Sequence, residues 1–398
     1  MTEHPIQTLP DDAAQALLVG RIWRPAPIDG PAVVALRAGR VIDITRHAAT
    51  VSDLFERDQA SLNAIVQDGE GEDLGSVSEL LQEGGHNAGG LRLLAPCDLQ
   101  AIKACGVTFA VSLLERVIEE QAKGDPSRAL ELRQQLQDSF GGNLAEIEPG
   151  SDAAMRLKAE LIERGLWSQY MEVGIGPDAE VFTKAQPMSS VGHGATVGLH
   201  PSSHWNNPEP EIVLAVNSRA EVVGAALGND VNLRDIEGRS ALLLGKAKDN
   251  NGSCAIGPFI RLFDANFTID TLRQCVVTMR IDGVDDGFEL TGASRMAEIS
   301  RDPLELVAHT CGGHHQYPDG FMLFLGTMFS PIKDRDAIGA GFTHHEGDVV
   351  TISTPMLGAL VNTVGRSDAI APWTFGVRAL YANLARRGLL PSQNKHAG

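Results

Sequence analysis

Residues 206–216 read NNPEPEIVLAV, and this stretch places two carboxylates at the start of an apolar run. The run IVLAV has the composition of a strand that enters a protein core. Side chains two residues apart on a strand share a face, so Glu209 and Glu211 emerge together. Two neighbouring carboxylates repel each other and lose hydration unless a cation lies between them. The stretch therefore predicts a buried strand that begins at a cation site; solvated charges at the rim of a strand are the alternative.

Two further carboxylates stand at strand ends elsewhere in the chain. Asp230 ends the apolar stretch AALGND, and Glu180 precedes the short apolar segment of EVFTK. Ligand sets made only of oxygen favour hard divalent cations, Mg²⁺ or Mn²⁺ more than Zn²⁺. Three or four such carboxylates could build one octahedral site with open positions for a substrate.

The composition excludes several classes of function. The 398 residues include 33 Lys and Arg against 51 Asp and Glu, a net charge of -18 that argues against binding to nucleic acids or anionic membranes. Five scattered cysteines without a CxxC pair indicate a reducing compartment. No basic and apolar leader and no apolar run of about 18 residues are visible, so we expect a cytoplasmic protein without a membrane span.

The pattern along the chain divides it into two parts. Short strands over 15–47 and a polar, glycine-rich linker over 68–90 predict a small N-terminal β domain over residues 1–90. Helical periodicity follows over 111–124, 127–140 and 151–167, and mainly strands follow beyond residue 170. A last helix is expected within 371–388, with Gly388 as its stop. We therefore expect a mixed β/α fold, mainly antiparallel, with a large domain over 91–398.

Several segments in this order resemble the fumarylacetoacetate hydrolase superfamily. They are NPEPEIVLAV, GNDVNLRD and LLLGKAKDNNGSCAIGPFI, and the resemblance covers roughly residues 91–398. With FTKAQPMSSVGHG, the chain is most similar to the branch that dehydrates 2-keto-3-deoxy sugar acids. The resemblance implies a catalytic domain built as a β-sandwich or roll, and a homodimer or homotetramer.

The resemblance also implies roles for particular residues. The metal ligands are expected at Glu209, Glu211 and Asp230, with Mg²⁺ as the cofactor and Mn²⁺ as an alternative. Glu180 falls on a further family acid, either a ligand or the acid that protonates the departing hydroxyl. The active-site lysine falls on Lys246, as the base at C3 or the partner of the enolate. An exposed surface lysine is the alternative, which the sequence permits more readily for Lys248 than for Lys246.

Four residues are expected to bind the substrate. Gly326 and Thr327 in LFLGTMFSP match the family's carboxylate-binding pair. Lys184 and His193 lie on a glycine-rich segment that matches an active-site loop, although His193 between two glycines could equally be structural. The pairs His314–His315 and His344–His345 lack the spacing of a zinc site.

One departure from the family decides the reaction class. Hydrolases of the superfamily activate water with a His and a Glu three residues apart, and here these positions hold Ser112 and Glu115. A serine hydroxyl is not a base near neutral pH without help. The substitution favours a lyase, in which Ser112 and Glu115 orient the substrate or a water.

The sequence thus predicts a metal-dependent dehydratase that acts on a small anionic 2-keto acid. Its substrate is expected to be a 2-keto-3-deoxy-pentonate of the xylonate or arabonate type, and its product 2-oxoglutarate semialdehyde. The alternatives are a hydrolase of 2,4-diketo acids, a decarboxylase or tautomerase that uses the same enolate chemistry, and a sugar-acid binding protein without turnover.

Overall fold

The computed structural model describes residues 7–82, 84–85, 89–123, 125, 128, 147–163 and 167–390. The helix expected over 127–140 lies largely outside these residues. Within them the strands are β1 (Leu18–Arg24), β2 (Gly30–Arg37), β3 (Arg40–Asp43), β4 (Glu72–Ser76), β5 (Arg92–Leu94), β6 (Ala101–Gly106), β7 (Glu180–Ala185), β8 (Thr196–Leu199), β9 (Pro210–Val216), β10 (Val222–Asp230), β11 (Cys254–Leu262), β12 (Val276–Asp282), β13 (Glu289–Arg295), β14 (Phe321–Phe324), β15 (Val349–Thr354) and β16 (Gly358–Arg366).

The strands form two sheets. The larger has the order β4-β3-β2-β1-β11-β10-β9-β14-β6-β7, with β5 paired to β1, and the smaller has the order β13-β12-β15-β16-β8. Neighbours are antiparallel except for the parallel pairs β14–β6 and β16–β8. The expected fold, mainly antiparallel with added helices, is confirmed.

Strand β9 lies at the centre of the larger sheet and is buried on both faces. Ile212 and Leu214 point into a core shared with the smaller sheet, where Val277 lies. Val213 points into a second core that packs on helices of residues 51–68, including Phe55. All seven residues of β9 are buried, which explains its unbroken apolar run.

The helices occupy the faces and ends of the sheets. In the described residues they are α1 (Val51–Phe55), α2 (Gln59–Asp68), α3 (Val77–Gln82), α4 (Ala110–Ala122), α5 (Asp152–Glu163), α6 (Gln169–Ile175), α7 (Arg234–Glu237), α8 (Leu244–Lys248), α9 (Ile269–Leu272), α10 (Pro303–Thr310) and α11 (Val377–Arg386). Helices α4, α5 and α11 match the expected ones, and Gly388 adopts φ +66° just beyond α11. None of the described helices is long and apolar enough to cross a membrane.

The N-terminal strands continue the larger sheet, because Leu18 and Val19 of β1 pair with Arg261 and Ile260 of β11. The domain boundary at residue 90 stays a prediction. The linker expected over 68–90 is wrong as a description of its structure, since it contains β4 and α3. The segment is mostly polar, but three of its apolar residues, Leu74, Val77 and Leu80, pack against the core beneath the sheet.

Candidate active site

The three carboxylates predicted to bind a metal meet at the paired ends of β9 and β10. Glu211 lies opposite Gly228 in the ladder, and the Asp230 amide donates to the Glu209 carbonyl at 3.0 Å. One carboxylate oxygen from each of Glu209, Glu211 and Asp230 lies within 4.8 Å of the other two. All three residues are at most 1% exposed. Strand pairing therefore converts three separated sequence positions into one buried cluster.

Gly326 and Thr327, the pair predicted to bind the substrate carboxylate, contact Glu211; their role in binding substrate stays a prediction. The Gly326 amide donates to Glu211 Oε2 at 2.7 Å, and Thr327 Oγ1 donates to Glu211 Oε1 at 3.5 Å. Gly326 adopts φ +104°, and a Cβ there would lie 2.0 Å from Thr108 Oγ1, so only glycine fits. Burial and the other two carboxylates raise the pKa of Glu211 well above its usual value. A cation beside Glu211 would offset this repulsion and favour the ionised form.

The lysine beside the cluster is Lys248, and the placement predicted for Lys246 is wrong. Lys248 is 2% exposed and donates from Nζ to Glu209 Oε2 at 2.8 Å and Asp230 Oδ2 at 3.3 Å. The Nζ atom also lies 3.8 Å from Glu237 Oε2. Lys246 lies exposed on the other side of α8, because residues two apart on a helix are rotated by about 200°.

Lys184 is buried in the cluster, where its Nζ contacts three oxygen atoms of the protein. Nζ forms an ion pair with Asp230 Oδ1 at 2.7 Å and donates to the carbonyls of Val231 at 3.0 Å and Lys248 at 2.8 Å. The two carbonyls use two of the three donors of the ammonium group. The geometry favours a role in placing Asp230 and Lys248 over the predicted role in binding substrate.

An ion-pair network extends the cluster to helices α4 and α7. Arg116 contacts Glu209 Oε1 through Nη2, and its Nη1 donates to Glu119 Oε2 at 2.8 Å and Glu237 Oε2 at 2.9 Å. Arg234 Nε lies 3.1 Å from Glu119 Oε1. Burial opposes ionisation of Glu209, but Arg116 and Lys248 outweigh it and lower its pKa to about 2.

The charges of this network fit one divalent cation and one anionic ligand. Five carboxylates face four cationic side chains, which leaves one negative charge uncompensated, and in the described part of the chain Glu211 has no ion-pair partner. A divalent cation together with a singly charged 2-keto acid would neutralise that charge. The donors available to the cation are all oxygen, as Mg²⁺ and Mn²⁺ prefer. The members are Glu209, Glu211, Asp230, Glu119, Glu237, Arg116, Arg234, Lys184 and Lys248.

Glu180 lies beside this network without belonging to the group of three. It begins β7, opposite Gly106 of β6. Desolvation and the charge of Glu237 raise the pKa of Glu180 to about 7, so it can hold or release a proton near neutral pH. This proton affinity suits an acid, but the alternative role as a ligand stays open.

Ser112 and Glu115 lie on the buried side of α4. They are 3% and 6% exposed, and Ser112 Oγ has no hydrogen-bond partner among the described residues. Ser112 is one helical turn before Arg116, which reaches Glu209, so both lie on the helix face directed at the cluster. Their predicted contact with substrate or water stays a prediction.

His193 has structural contacts. Its Nδ1 accepts from the Val361 amide at 3.2 Å, and burial lowers its pKa to about 4, so it is neutral at physiological pH. Its substrate-binding role stays a prediction that this geometry does not favour.

The neighbouring histidines His344 and His345 contact different carboxylates. His344 Nδ1 lies 2.9 Å from Asp348 Oδ2, and His345 Nδ1 lies 2.9 Å from Asp285 Oδ2. Arg335 also pairs with Asp348 at 2.7 Å, so the negative charge of Asp348 is compensated within the protein.

Sequence reasoning named Lys246 where the structure places Lys248. It also missed four charged residues of the network: Arg116, Glu119, Glu237 and Arg234. The sequence of α4 carried a signal for two of them, because Arg116 and Glu119 lie on the same side of the helix as the apolar residues Leu113 and Val117. Charged residues on the buried face of an amphipathic helix are stable only when paired, so they indicate a buried ion pair.

About half of the chain matches a known family and two named relatives. Residues 163–365 match the family described as Fumarylacetoacetate (FAA) hydrolase C-terminal. A protein of Haloferax volcanii named "Probable 2-keto-3-deoxyxylonate dehydratase" is 31% identical over 202 residues, which cover 51% of this chain and 65% of that protein. A 2-dehydro-3-deoxy-D-arabinonate dehydratase of Saccharolobus solfataricus is 29% identical over 191 residues, 48% of this chain and 60% of the relative. Both matches span less than two thirds of the relative.

Solved structures share the fold at low sequence identity. A 2-keto-3-deoxy-D-arabinonate dehydratase complexed with magnesium and 2,5-dioxopentanoate superposes with a TM-score of 0.58 at 18% identity, over 88% of this chain and 99% of the other. A fumarylacetoacetate hydrolase of Exiguobacterium antarcticum gives a TM-score of 0.53 at 16% identity, over 88% and 100%.

Proposed function

The chain belongs to the fumarylacetoacetate hydrolase family, to which residues 163–365 match, and we propose that it is a dehydratase of 2-keto-3-deoxy-pentonates that depends on a divalent cation. The substrate is of the xylonate or arabonate type, and the product is 2-oxoglutarate semialdehyde, also called 2,5-dioxopentanoate. The names of the two curated relatives support this choice. So does the product bound to the structural neighbour.

The observation that carries the proposal is the buried carboxylate cluster with Lys248 in direct contact. Glu209, Glu211 and Asp230 would hold the cation, Mg²⁺ or alternatively Mn²⁺. When bound, the cation supplies Lewis-acid chemistry: it attracts the keto and carboxylate oxygens of a 2-keto acid and acidifies the adjacent C3 protons. Gly326 and Thr327 keep Glu211 in place for this purpose.

Lys248 is the group placed to act on the substrate at C3. Two of its three donors are used by Glu209 and Asp230, which leaves one for a ligand, as far as the described residues go. The lysine can donate to the keto oxygen, where negative charge develops as the C3 proton leaves. Burial opposes the charge on Lys248, but Asp230 and Glu209 outweigh it and raise its pKa above the usual value. A cation held by the same carboxylates would offset this rise, and Lys248 without its proton could then accept the C3 proton.

Glu180 is the candidate acid for the departing hydroxyl. With a pKa near 7 it carries a proton in an appreciable fraction of molecules. Proton transfer to the C4 hydroxyl allows the C4–O bond to break and water to leave, while the electrons of the C3–H bond form the double bond. The direct product is a 2-keto acid with a C3–C4 double bond. Loss of a proton from C5 and return of a proton to C3 move the double bond to C4–C5, and the enol formed there tautomerises to the product aldehyde.

The absence of a base at position 112 favours elimination over hydrolysis. Ser112 is buried and its Oγ has no acceptor among the described residues to take its proton. A serine in that state cannot activate water for attack on a carbon–carbon bond. The hydroxyl is free to bind a substrate hydroxyl or a water instead.

A panel of substrates tests the proposal. Purified protein with Mg²⁺ is incubated with 2-keto-3-deoxy-pentonates, 2-keto-3-deoxy-hexonates and acylpyruvates, and products are identified by mass spectrometry. We expect a pentonate to lose one water without carbon–carbon cleavage, and Glu211→Gln to abolish this loss. Release of pyruvate from an acylpyruvate, faster than any dehydration, would instead establish the hydrolase alternative.

A further inference from the structure

One guanidinium links helix α4 to the carboxylate cluster, and its position suggests a role beyond holding the fold together. We propose that Arg116 is a positioning residue that stands in for the cation at Glu209. It holds one oxygen of Glu209 in the metal-free protein and yields that oxygen when a divalent cation binds. The inference rests on the proposed metal site and is independent of the substrate.

Three carboxylates surround the Arg116 guanidinium, whose side chain is 8% exposed. Nη2 contacts Glu209 Oε1, while Nη1 lies 2.8 Å from Glu119 Oε2 and 2.9 Å from Glu237 Oε2. An arginine remains charged at any physiological pH. Of these three partners, only Glu209 belongs to the candidate metal ligands.

Both oxygens of Glu209 are already bonded to cationic groups. Arg116 contacts Oε1, and Lys248 Nζ lies 2.8 Å from Oε2. A bound Mg²⁺ lies about 2.1 Å from its ligand oxygen, close enough to repel any cation that shares that oxygen. The cation would therefore weaken one of these two contacts when Glu209 becomes a ligand.

The remaining contacts indicate that Arg116 gives way. Lys248 is bonded to Asp230 as well, which is itself a candidate ligand, so its release from Glu209 leaves it beside the cation. Arg116 can keep Glu119 and Glu237, so it loses one contact without becoming an unpaired buried charge.

This competition couples cation binding to the ion pairs of α4. Arg116 and Glu119 are three residues apart on α4, and Glu119 also pairs with Arg234 at 3.1 Å. A group that competes with a cation for Glu209 lowers the affinity for that cation, and the cation weakens its contact by the same factor. Removal of Arg116 should therefore tighten cation binding, whereas a residue that merely orients Glu209 would have the opposite effect.

The test compares Arg116→Gln with Arg234→Gln, a matched control. Arg234 is also buried and pairs with Glu119, but among the described residues it contacts none of the candidate ligands. The dissociation constant of Mn²⁺ alone is measured by titration calorimetry and by electron paramagnetic resonance, without substrate. We expect Arg116→Gln to bind Mn²⁺ tighter by about tenfold, within the range of coupled sites, and Arg234→Gln to change the dissociation constant by a much smaller factor.

Thermal unfolding gives a second measurement that does not depend on activity. Arg116→Gln should lower the melting temperature of the metal-free protein more than that of the Mn²⁺-loaded protein. Arg234→Gln should lower both equally. Should Arg116→Gln fail to fold without metal, Arg116→Lys takes its place: it keeps a charge, cannot bridge three carboxylates, and should tighten Mn²⁺ binding by a smaller factor.

Unchanged or weaker Mn²⁺ binding in the Arg116 variants would overturn the inference, as would equal tightening in Arg234→Gln. A wild-type protein that does not bind Mn²⁺ would overturn both the inference and the proposed metal site. A wild-type protein that binds Mn²⁺ but dehydrates no sugar acid would remove the proposed function alone, and the Mn²⁺ constants of the variants would still decide the role of Arg116.

Discussion

Single substitutions of the two lysines of α8 test which of them, Lys248 or Lys246, acts at the site. Lys248→Met removes the only side chain that contacts both Glu209 and Asp230 in the described structure, at 2.8 and 3.3 Å. Lys246→Met removes a lysine of the same helix, two residues away, that is exposed. Methionine keeps most of the side-chain volume, so the comparison isolates the charge.

The expected magnitudes follow from burial. Lys248 is 2% exposed, and removing one partner of a buried ion pair costs about 3–5 kcal/mol in the free energy of unfolding. Added Mg²⁺ should recover part of this loss, because it supplies positive charge to the same carboxylates. Activity should fall by about 10²-fold or more, as expected when a positioned acid–base group is lost. The exposed Lys246→Met should change the free energy of unfolding by less than about 0.5 kcal/mol and leave activity intact.

Urea unfolding with and without Mg²⁺, together with a product assay by mass spectrometry, measures both effects. The reasoning is refuted if Lys246→Met loses activity while Lys248→Met keeps it. It is also refuted if both variants unfold at the wild-type urea concentration, because Lys248 would then not compensate buried charge.

Four further predictions concern the metal, the carboxylates and the substrate class. Dialysis against a chelator should abolish activity. Mg²⁺ or Mn²⁺ should restore the activity and Zn²⁺ should restore little of it, because the candidate ligands are oxygen atoms. Full turnover after dialysis would contradict this. Glu211→Gln should abolish activity and the rise in melting temperature caused by Mg²⁺. Without metal the variant should not be destabilised, since the substitution relieves the repulsion that raises the pKa of Glu211. A lower melting temperature of the metal-free variant would show that this repulsion is compensated elsewhere. Burial opposes ionisation of Asp348, but His344 and Arg335 outweigh it and lower its pKa to about 2, so its ionised form contributes stability that is complete above pH about 4 and lost as the pH falls toward 2. In urea titrations, Asp348→Asn should lower the free energy of unfolding by about 1–2 kcal/mol at pH 7 and by progressively less below pH 4. A loss of stability that does not depend on pH would exclude this ionic origin. Acylpyruvates should inhibit dehydration competitively without being cleaved, because they chelate the same cation and meet no activated water; steady release of pyruvate would contradict this.

The sequence was most informative where the chemistry depends on local periodicity. Glu209 and Glu211 share a face because strand side chains alternate, and this holds whatever the strand packs against. Asp230 could be joined to them because GND ends an apolar stretch, and the antiparallel pairing of β9 and β10 then brought the strand ends together. Apolar stretches likewise predicted β9, β10 and β11, whose residues are almost all buried.

Local periodicity failed for short helices and for polar segments. Helix α8 has only five residues, too few to show which of its faces is apolar, so the choice between Lys246 and Lys248 had no local basis. Strand β4 was hidden in a polar segment, since its exposed side chains leave only Leu74 to pack inward.

By itself, the sequence determined a series of strands separated by turns and placed Glu209 and Glu211 on one strand face, because side chains alternate along a strand. The resemblance to the superfamily joined Asp230 to them. Only the tertiary structure decided which cations surround them. Arg116 and Glu209 are 93 positions apart, and Lys248 and Glu209 are 39 apart. A buried charge is stable only beside a partner of opposite sign. That partner is fixed when helices α4 and α8 pack against the ends of β9 and β10, and spacing along the chain carries no record of that packing.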